Sequence, residues 1–195
     1  RRSRFKNRRG SVGSEMSGKT TLTGFVAEVF GVPRLRGESA RIVLDEFGSW
    51  GAIRARGKQS DRYQEAVFNQ QLEMELRQTP HYVADRCLLD SLAYASEYAA
   101  NIRQIRDRWY EDSVTKVLER LHEGIVFLVK PHKGLSASDG ERLVVSYEQQ
   151  LRIDAKIELL LQLEGIRPVR INELGAAQRE EQISLFLEAK GFVKK

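Results

Sequence analysis

The stretch GSEMSGKTTL, residues 13–22, meets the pattern G-x-x-x-x-G-K-[ST] at every fixed position, with Gly13, Gly18, Lys19 and Thr20 in place. Glycines at both ends let consecutive main-chain N–H groups turn inward around an anion. A helix that starts at Lys19 adds the positive end of its dipole. Residues Gly13, Ser14, Glu15, Met16, Ser17, Gly18, Lys19, Thr20 and Thr21 are therefore read as a cradle for nucleotide phosphates. In this reading Lys19 reaches the β and γ phosphates and the Thr20 hydroxyl ligates Mg2+, which makes ATP and Mg2+ the expected cofactors. The alternative is a glycine-rich turn that only caps a helix.

The pattern behind the loop supports the cradle. Leu22, Phe25, Val26, Val29 and Phe30 recur at helical spacing, which predicts a helix over 19–30 closed by Gly31. In front of the loop, FKNRRGSV is polar for a strand in mid-sheet. Either the strand is short, with Ser11 and Val12 as its buried part, or the chain start is not the native one. Farther on, VPRLR reads as a short strand, 39–47 as a helix, WGAIRARGKQSDR as a loop and 63–78 as a helix ending before Pro80. HYVAD (81–85) is a short β-rich stretch with an acid at its end, and CLLDSLAYASEYAANI and VTKVLERLHEG read as helices. IVFLVK (125–130) has the unbroken apolar run of a strand covered on both faces. A polar segment, PHKGLSASDGER, precedes a helix over about 145–164, a strand in IRPVRI and a last helix in AAQREEQISLFLEAK. Strands alternating with helices predict an α/β chain of three layers, a mostly parallel sheet of about five strands with helices on both faces.

Length and composition narrow the classes. The 195 residues suit one domain over 1–195, 41% hydrophobic and 30% charged, the balance of a soluble globular chain. No run is long and apolar enough for a bilayer, no signal-like segment opens the chain, and the lone Cys87 suits a reducing, cytoplasmic setting. Six of the 32 basic residues crowd into positions 1–9, leaving 26 against 27 acidic residues in the body. The basic arm reads as a solvated tail, with contact to nucleic acid or an acidic partner as the alternative. Trp50, Trp109 and Tyr110 read as packing residues.

A phosphate cradle needs a carboxylate beside Mg2+ on a neighbouring strand, and Asp85 at the end of HYVAD is so placed, unless Asp85–Arg86 is merely an exposed salt-bridging pair. With this acid in view, GSEMSGKTTL, GESAR (37–41), DRCLLDSLAY (85–94) and DGERLVVSYEQQLRID (139–154) occur in the order and spacing of P-loop kinase-like NTPases. The chain most resembles the ATPases and kinases of NAD metabolism, including ribosylnicotinamide kinase domains, and DRCLLDSLAY is similar to the Asp-Arg signature of thymidylate kinases. The resemblance spans roughly residues 12–172.

The resemblance implies roles for particular residues. Glu38 stands where such proteins carry the general base or hydroxyl anchor for the acceptor, with a helix cap as the alternative. Arg41 would contact acceptor or phosphate, and Arg86 the acceptor or the transferred group. Asp90 is read as orienting Arg86 or touching the acceptor, with a surface salt bridge as the alternative. Residues 131–152 take the place of a lid, in which Arg142 of Asp139-Gly140-Glu141-Arg142 would meet the transferred phosphoryl group and Arg152 the substrate. The approach HKGLSAS lacks the proline and tryptophan usual there, and a solvated linker is the alternative. The implied activity is transfer of the γ-phosphoryl of MgATP to a nucleoside or nucleotide. Two other readings use the same loop: a kinase of nucleic acid or modified DNA that employs the basic arm, and a regulatory ATPase without a small acceptor.

Overall fold

Five apolar residues, Ile125–Val129, decide the layering. A strand sends successive side chains to opposite faces, and here both sets are buried. Val126 and Leu128 pack with Leu89, Ala93, Leu121, Ile153, Ile157 and Leu161, whereas Phe127 and Val129 pack with Leu22, Val26, Phe30, Ile183 and Leu187. Each set is a helix face, so the sheet is covered on both sides. In this computed structural model the described residues are 9–12, 18–35, 39–47, 53, 57–79, 81–131, 146–173 and 175–195.

The elements run β1 (Arg9–Val12), α1 (Lys19–Phe30), α2 (Ser39–Phe47), α3 (Lys58–Leu76), β2 (Val83–Ala84), α4 (Leu88–Tyr98), α5 (Arg103–Arg108), α6 (Asp112–His122), β3 (Ile125–Val129), α7 (Tyr147–Leu163), β4 (Val169–Ile171) and α8 (Ala176–Ala189). The strands lie in the order β2-β1-β3-β4, and every pairing is parallel. A parallel bridge between Arg34 and Val83 extends the sheet beyond β2, with Leu35 N–H donating to the Val83 carbonyl at 2.9 Å. The expected mostly parallel sheet is thus four strands and this bridge among the described residues. VPRLR contributes a single paired position.

β1 is fully integrated despite its polar sequence: Arg9 and Gly10 pair with Val83 and Ala84 on one side, and Arg9 to Val12 pair with Ile125 to Leu128 on the other. Parallel strands bring their carboxyl ends to one edge, where α/β proteins open their ligand crevice. On that edge lie the entry to α1, Asp85 after β2, Lys130 after β3 and the turn after β4. Lys130 is fastened there by Asp154 at 2.6 Å and Glu158 at 2.9 Å on α7, and Arg170 of β4 also pairs with Glu158.

Two elements differ from expectation. α3 begins at Lys58, five residues before the predicted start at Tyr63, because Ser60 is buried and donates to the Tyr98 carbonyl at 2.9 Å while Asp61 accepts the Ala100 and Asn101 amides. The short α5 was not anticipated. It is seated by Ile105, which packs among Phe68, Leu72, Leu88 and Val117.

Candidate functional site

Gly18 is in the left-handed region at φ +83°, a conformation that costs a side-chain-bearing residue roughly 1–2 kcal/mol. It is the N-cap of α1 and hands the chain directly to Lys19. Lys19, the first residue of α1, is only 4% exposed. One residue on, the Thr20 hydroxyl donates to Oδ2 of Asp85, which joins the start of α1 to the end of β2 across 65 positions of sequence. Thr21 lies exposed on the same helix.

Asp85 is the informative member of this pair. Its other oxygen, Oδ1, is buried and has no hydrogen-bond partner, an arrangement that costs about 1–3 kcal/mol when nothing fills it. A hydroxyl and a carboxylate are hard oxygen donors of the kind Mg2+ takes, and that ion usually completes its shell with water and nucleotide phosphates. The residues present therefore fit Mg2+. Among the described residues no group of three or more His, Cys, Asp or Glu forms a metal cage.

Arg86 follows Asp85 and is held from two directions. Its guanidinium lies 5.0 Å from the centre of the Tyr94 ring, and its carbonyl accepts a hydrogen bond from Nε2 of Gln71 at 3.3 Å. Asp90 is fully buried, not on the surface, and its Oδ2 accepts the Cys87 amide at 2.8 Å. It therefore fixes the turn that carries Arg86. Cys87 is buried and free, and burial, with the charges of Asp90 and Glu75 behind it, pushes its thiol pKa well up.

The remaining sequence candidates are spread more widely. Arg41 is exposed in the first turn of α2. Arg152 lies on α7 and pairs with Glu97 at 3.1 Å, beside Lys156 at 2.8 Å. Against the upward push of partial desolvation, those two hydrogen bonds hold the Glu97 carboxyl below its usual range. Residues 13–17, Glu38 and Arg142 lie outside the described residues.

One residue at this edge escaped the sequence reading. Arg179, in the first turn of α8, is 3% exposed, and its Nε donates to the Glu173 carbonyl at 2.6 Å, closing the turn after β4. A Cβ placed on Gly18 would lie 3.2 Å from Nη1 of Arg179. The guanidinium thus abuts the glycine at the head of α1, and burial lowers its pKa. Its sequence setting, AAQREEQ, is an ordinary polar helix turn, and only the fold brings it to Gly18.

A family model described as an AAA domain matches residues 11–179, most of the chain. This chain belongs to the AAA domain family. No curated protein sequence matches it. Among solved structures, this AAA domain is similar to NadR protein in complex with NAD and AMP-PNP, at TM-score 0.70 and 16% identity over 96% of this chain and 50% of that one. NadR protein in complex with NR gives TM-score 0.66 and 17% identity over 88% and 45%. Deoxyadenosine kinase from M. mycoides, with products dCMP and a flexible dCDP bound, gives TM-score 0.71 and 13% identity over 93% and 98%. The AAA domain described here spans about half the length of the NadR chains. At these identities the likeness establishes the fold, which is the expected α/β P-loop kinase-like architecture.

Proposed function

We propose that this chain is an ATP-dependent phosphotransferase whose acceptor is a nucleoside or nucleotide. The observation that carries the reading is the meeting of Thr20 with Asp85, whose second oxygen is buried and unpartnered, directly beside the buried Lys19. Thr20 and Asp85 would hold Mg2+, which when bound neutralises phosphate charge and orients the terminal group. Lys19 would hold the outer phosphates, and Gly13 to Thr21 would wrap them with main-chain amides. Arg179 would contact the phosphate chain beside Gly18. On the acceptor side, Arg86 is preset by Tyr94 and Gln71, and Glu38 and Arg41 at the start of α2 would anchor the hydroxyl or phosphate that receives the group. Arg142 and Arg152 would approach from the segment after β3, whose residues 146–152 include the cap and first turns of α7. Most of the rate gain would come from positioning and charge stabilisation.

The similar structures support the acceptor class. NadR protein has been solved with NR, and the deoxyadenosine kinase with dCMP as product. The test is a screen for radiolabelled phosphate transfer from ATP to nucleosides, nucleotides and single- and double-stranded DNA. Transfer to a nucleoside or nucleotide, lost in Glu38→Gln with ATP affinity retained, is the expected result. Labelling of DNA alone, or ATP hydrolysis without any acceptor, would overturn it.

A further inference from the structure

α3 and α4 are tied at both ends of one seam. At the start of α3 the buried Ser60 donates to the Tyr98 carbonyl at 2.9 Å, and farther along Nε2 of Gln71 donates to the Arg86 carbonyl at 3.3 Å. The two ties make the helices antiparallel neighbours. Ser60, Gln64, Gln71 and Glu75 fall on one strip of α3, within about 60° of one another, and each is at most 5% exposed. Apolar side chains wall the strip: Tyr63 and Val67 pack with Val43 of α2, and Phe68 and Leu72 with Leu88 and Ala95 of α4. Ser60 and Gln71 are bonded to α4, and Glu75 to Gln71. Gln64 differs, for among the described residues no hydrogen bond ends on its side-chain amide. Ser91 of α4 is likewise 5% exposed, and among the described residues its hydroxyl has no hydrogen bond either. Lying seven residues before Tyr98, it is on the same side of α4, and the antiparallel pairing brings it within about one helical turn of the level of Gln64.

We infer that Gln64 and Ser91 select the acceptor by hydrogen bonding to the polar edge of its ring, and that this ring carries a donor and an acceptor side by side, as a nucleobase or a ring carboxamide does. The identity of what binds there presupposes the phosphotransfer reading. An amide offers an N–H and a carbonyl in one plane, and it turns over to match either order of donor and acceptor. The serine hydroxyl supplies a further donor or acceptor as the ring requires. The position agrees with this use. Tyr63, the residue before Gln64, donates its hydroxyl to the Ala40 carbonyl at 2.9 Å, which fixes the first turn of α2 beside this part of α3. Arg41 follows Ala40 in the sequence, and the Arg86 tie lies about 10 Å farther along α3. The seam therefore runs between the proposed acceptor anchors. Buried hydrogen-bonding groups discriminate sharply, because a ring without the matching edge leaves them unpaired.

Calorimetric titration with adenosine, cytidine and nicotinamide riboside, each against its analogue lacking the exocyclic amino or carboxamide group, reads the selection without turnover. The wild type should bind at least one parent compound at least about tenfold more tightly than its analogue. In Gln64→Met, which keeps the side-chain length and removes both polar atoms, the two members of that pair should bind within about threefold of each other. Ser91→Ala is the smaller change and gives a second reading should Gln64→Met fail to fold: the preference should narrow at least about threefold. Equal binding of parent and analogue by the wild type overturns the inference. So does a preference untouched by either substitution while Tm falls in both, the mark of a water held between Gln64 and Ser91 as part of the core. Selective nucleoside binding without phosphoryl transfer from ATP overturns only the phosphotransfer reading, and transfer to a nucleoside without selection overturns only the inference. Binding of no nucleoside overturns both.

Discussion

Arg179 and Gly18 are neighbours at the carboxyl edge of the sheet. The guanidinium donates Nε to the Glu173 carbonyl and lies against Gly18 at the head of α1, and a planar fork can hold that carbonyl while presenting a second N–H there, as an ammonium cannot. Arg179→Ala should weaken ADP and ATP binding by at least about tenfold, the worth of a charged hydrogen bond, and Arg179→Lys should recover little of it. Calorimetric titration with each nucleotide measures this. Unchanged affinities would confine Arg179 to closing the turn after β4. Gly18→Ala faces two penalties together, the left-handed φ and the contact with Arg179. It should lower both stability and nucleotide affinity without disturbing the Gly31 end of α1.

At the scale of elements, Ser146 starts α7 with a reciprocal cap: Gln149 N–H donates to Ser146 Oγ at 3.2 Å, and Ser146 N–H donates to Gln149 Oε1 at 3.0 Å. Ser146→Ala should cost about 1 kcal/mol in urea unfolding with an unchanged m value, and should leave MgATP affinity as it was. Elements with self-contained signals were legible in the chain. α1 and α2 run over the residues expected, since Gly31 in the left-handed conformation stops the first and an apolar stripe marks both. β3 was legible because both its faces are apolar. The start of α3 was not. Its first turn is tied through Ser60 and Asp61 to the far end of α4 and the stretch after it, and composition carries no sign of partners 38 to 40 positions away. β1 was only partly legible, because pairing on both sides is a property of the sheet and not of its own four residues. The same division holds at the site. Gly18, Lys19, Thr20 and Asp85 announce themselves by motif, whereas Arg179 and Gln64 acquire meaning from neighbours remote in sequence.

Across the whole molecule, one edge of a parallel sheet gathers the mouth of α1, the acid after β2 and the cation after β3, and helices seal both faces. Among the described residues no helix is long and apolar enough to cross a membrane. The buried charges give this body a distinctive response to pH. Glu75 keeps its proton in the folded chain up to about 8 but loses it near 4.5 when unfolded. Its stabilisation is therefore complete below 4.5 and disappears as pH rises to 8, by up to about 1.4 kcal/mol per unit. Glu97 acts in the opposite sense: its lowered carboxyl stabilises above its ordinary value, and that support is lost as pH falls. Thermal unfolding should accordingly show Tm declining from mildly acid to mildly alkaline pH, and Glu75→Gln should flatten the decline. A wild-type Tm that rises over this range would contradict the assignment. The central claim is that Thr20 and Asp85 present a magnesium-bound nucleotide to the rest of the site, and titration calorimetry of ATP in Mg2+ and in EDTA, on the wild type and Asp85→Asn, tests it most directly. The account predicts affinity at least about tenfold higher with Mg2+ in the wild type, and little of that gain in Asp85→Asn. No heat with either solution, or a magnesium gain equal in both proteins, would contradict it.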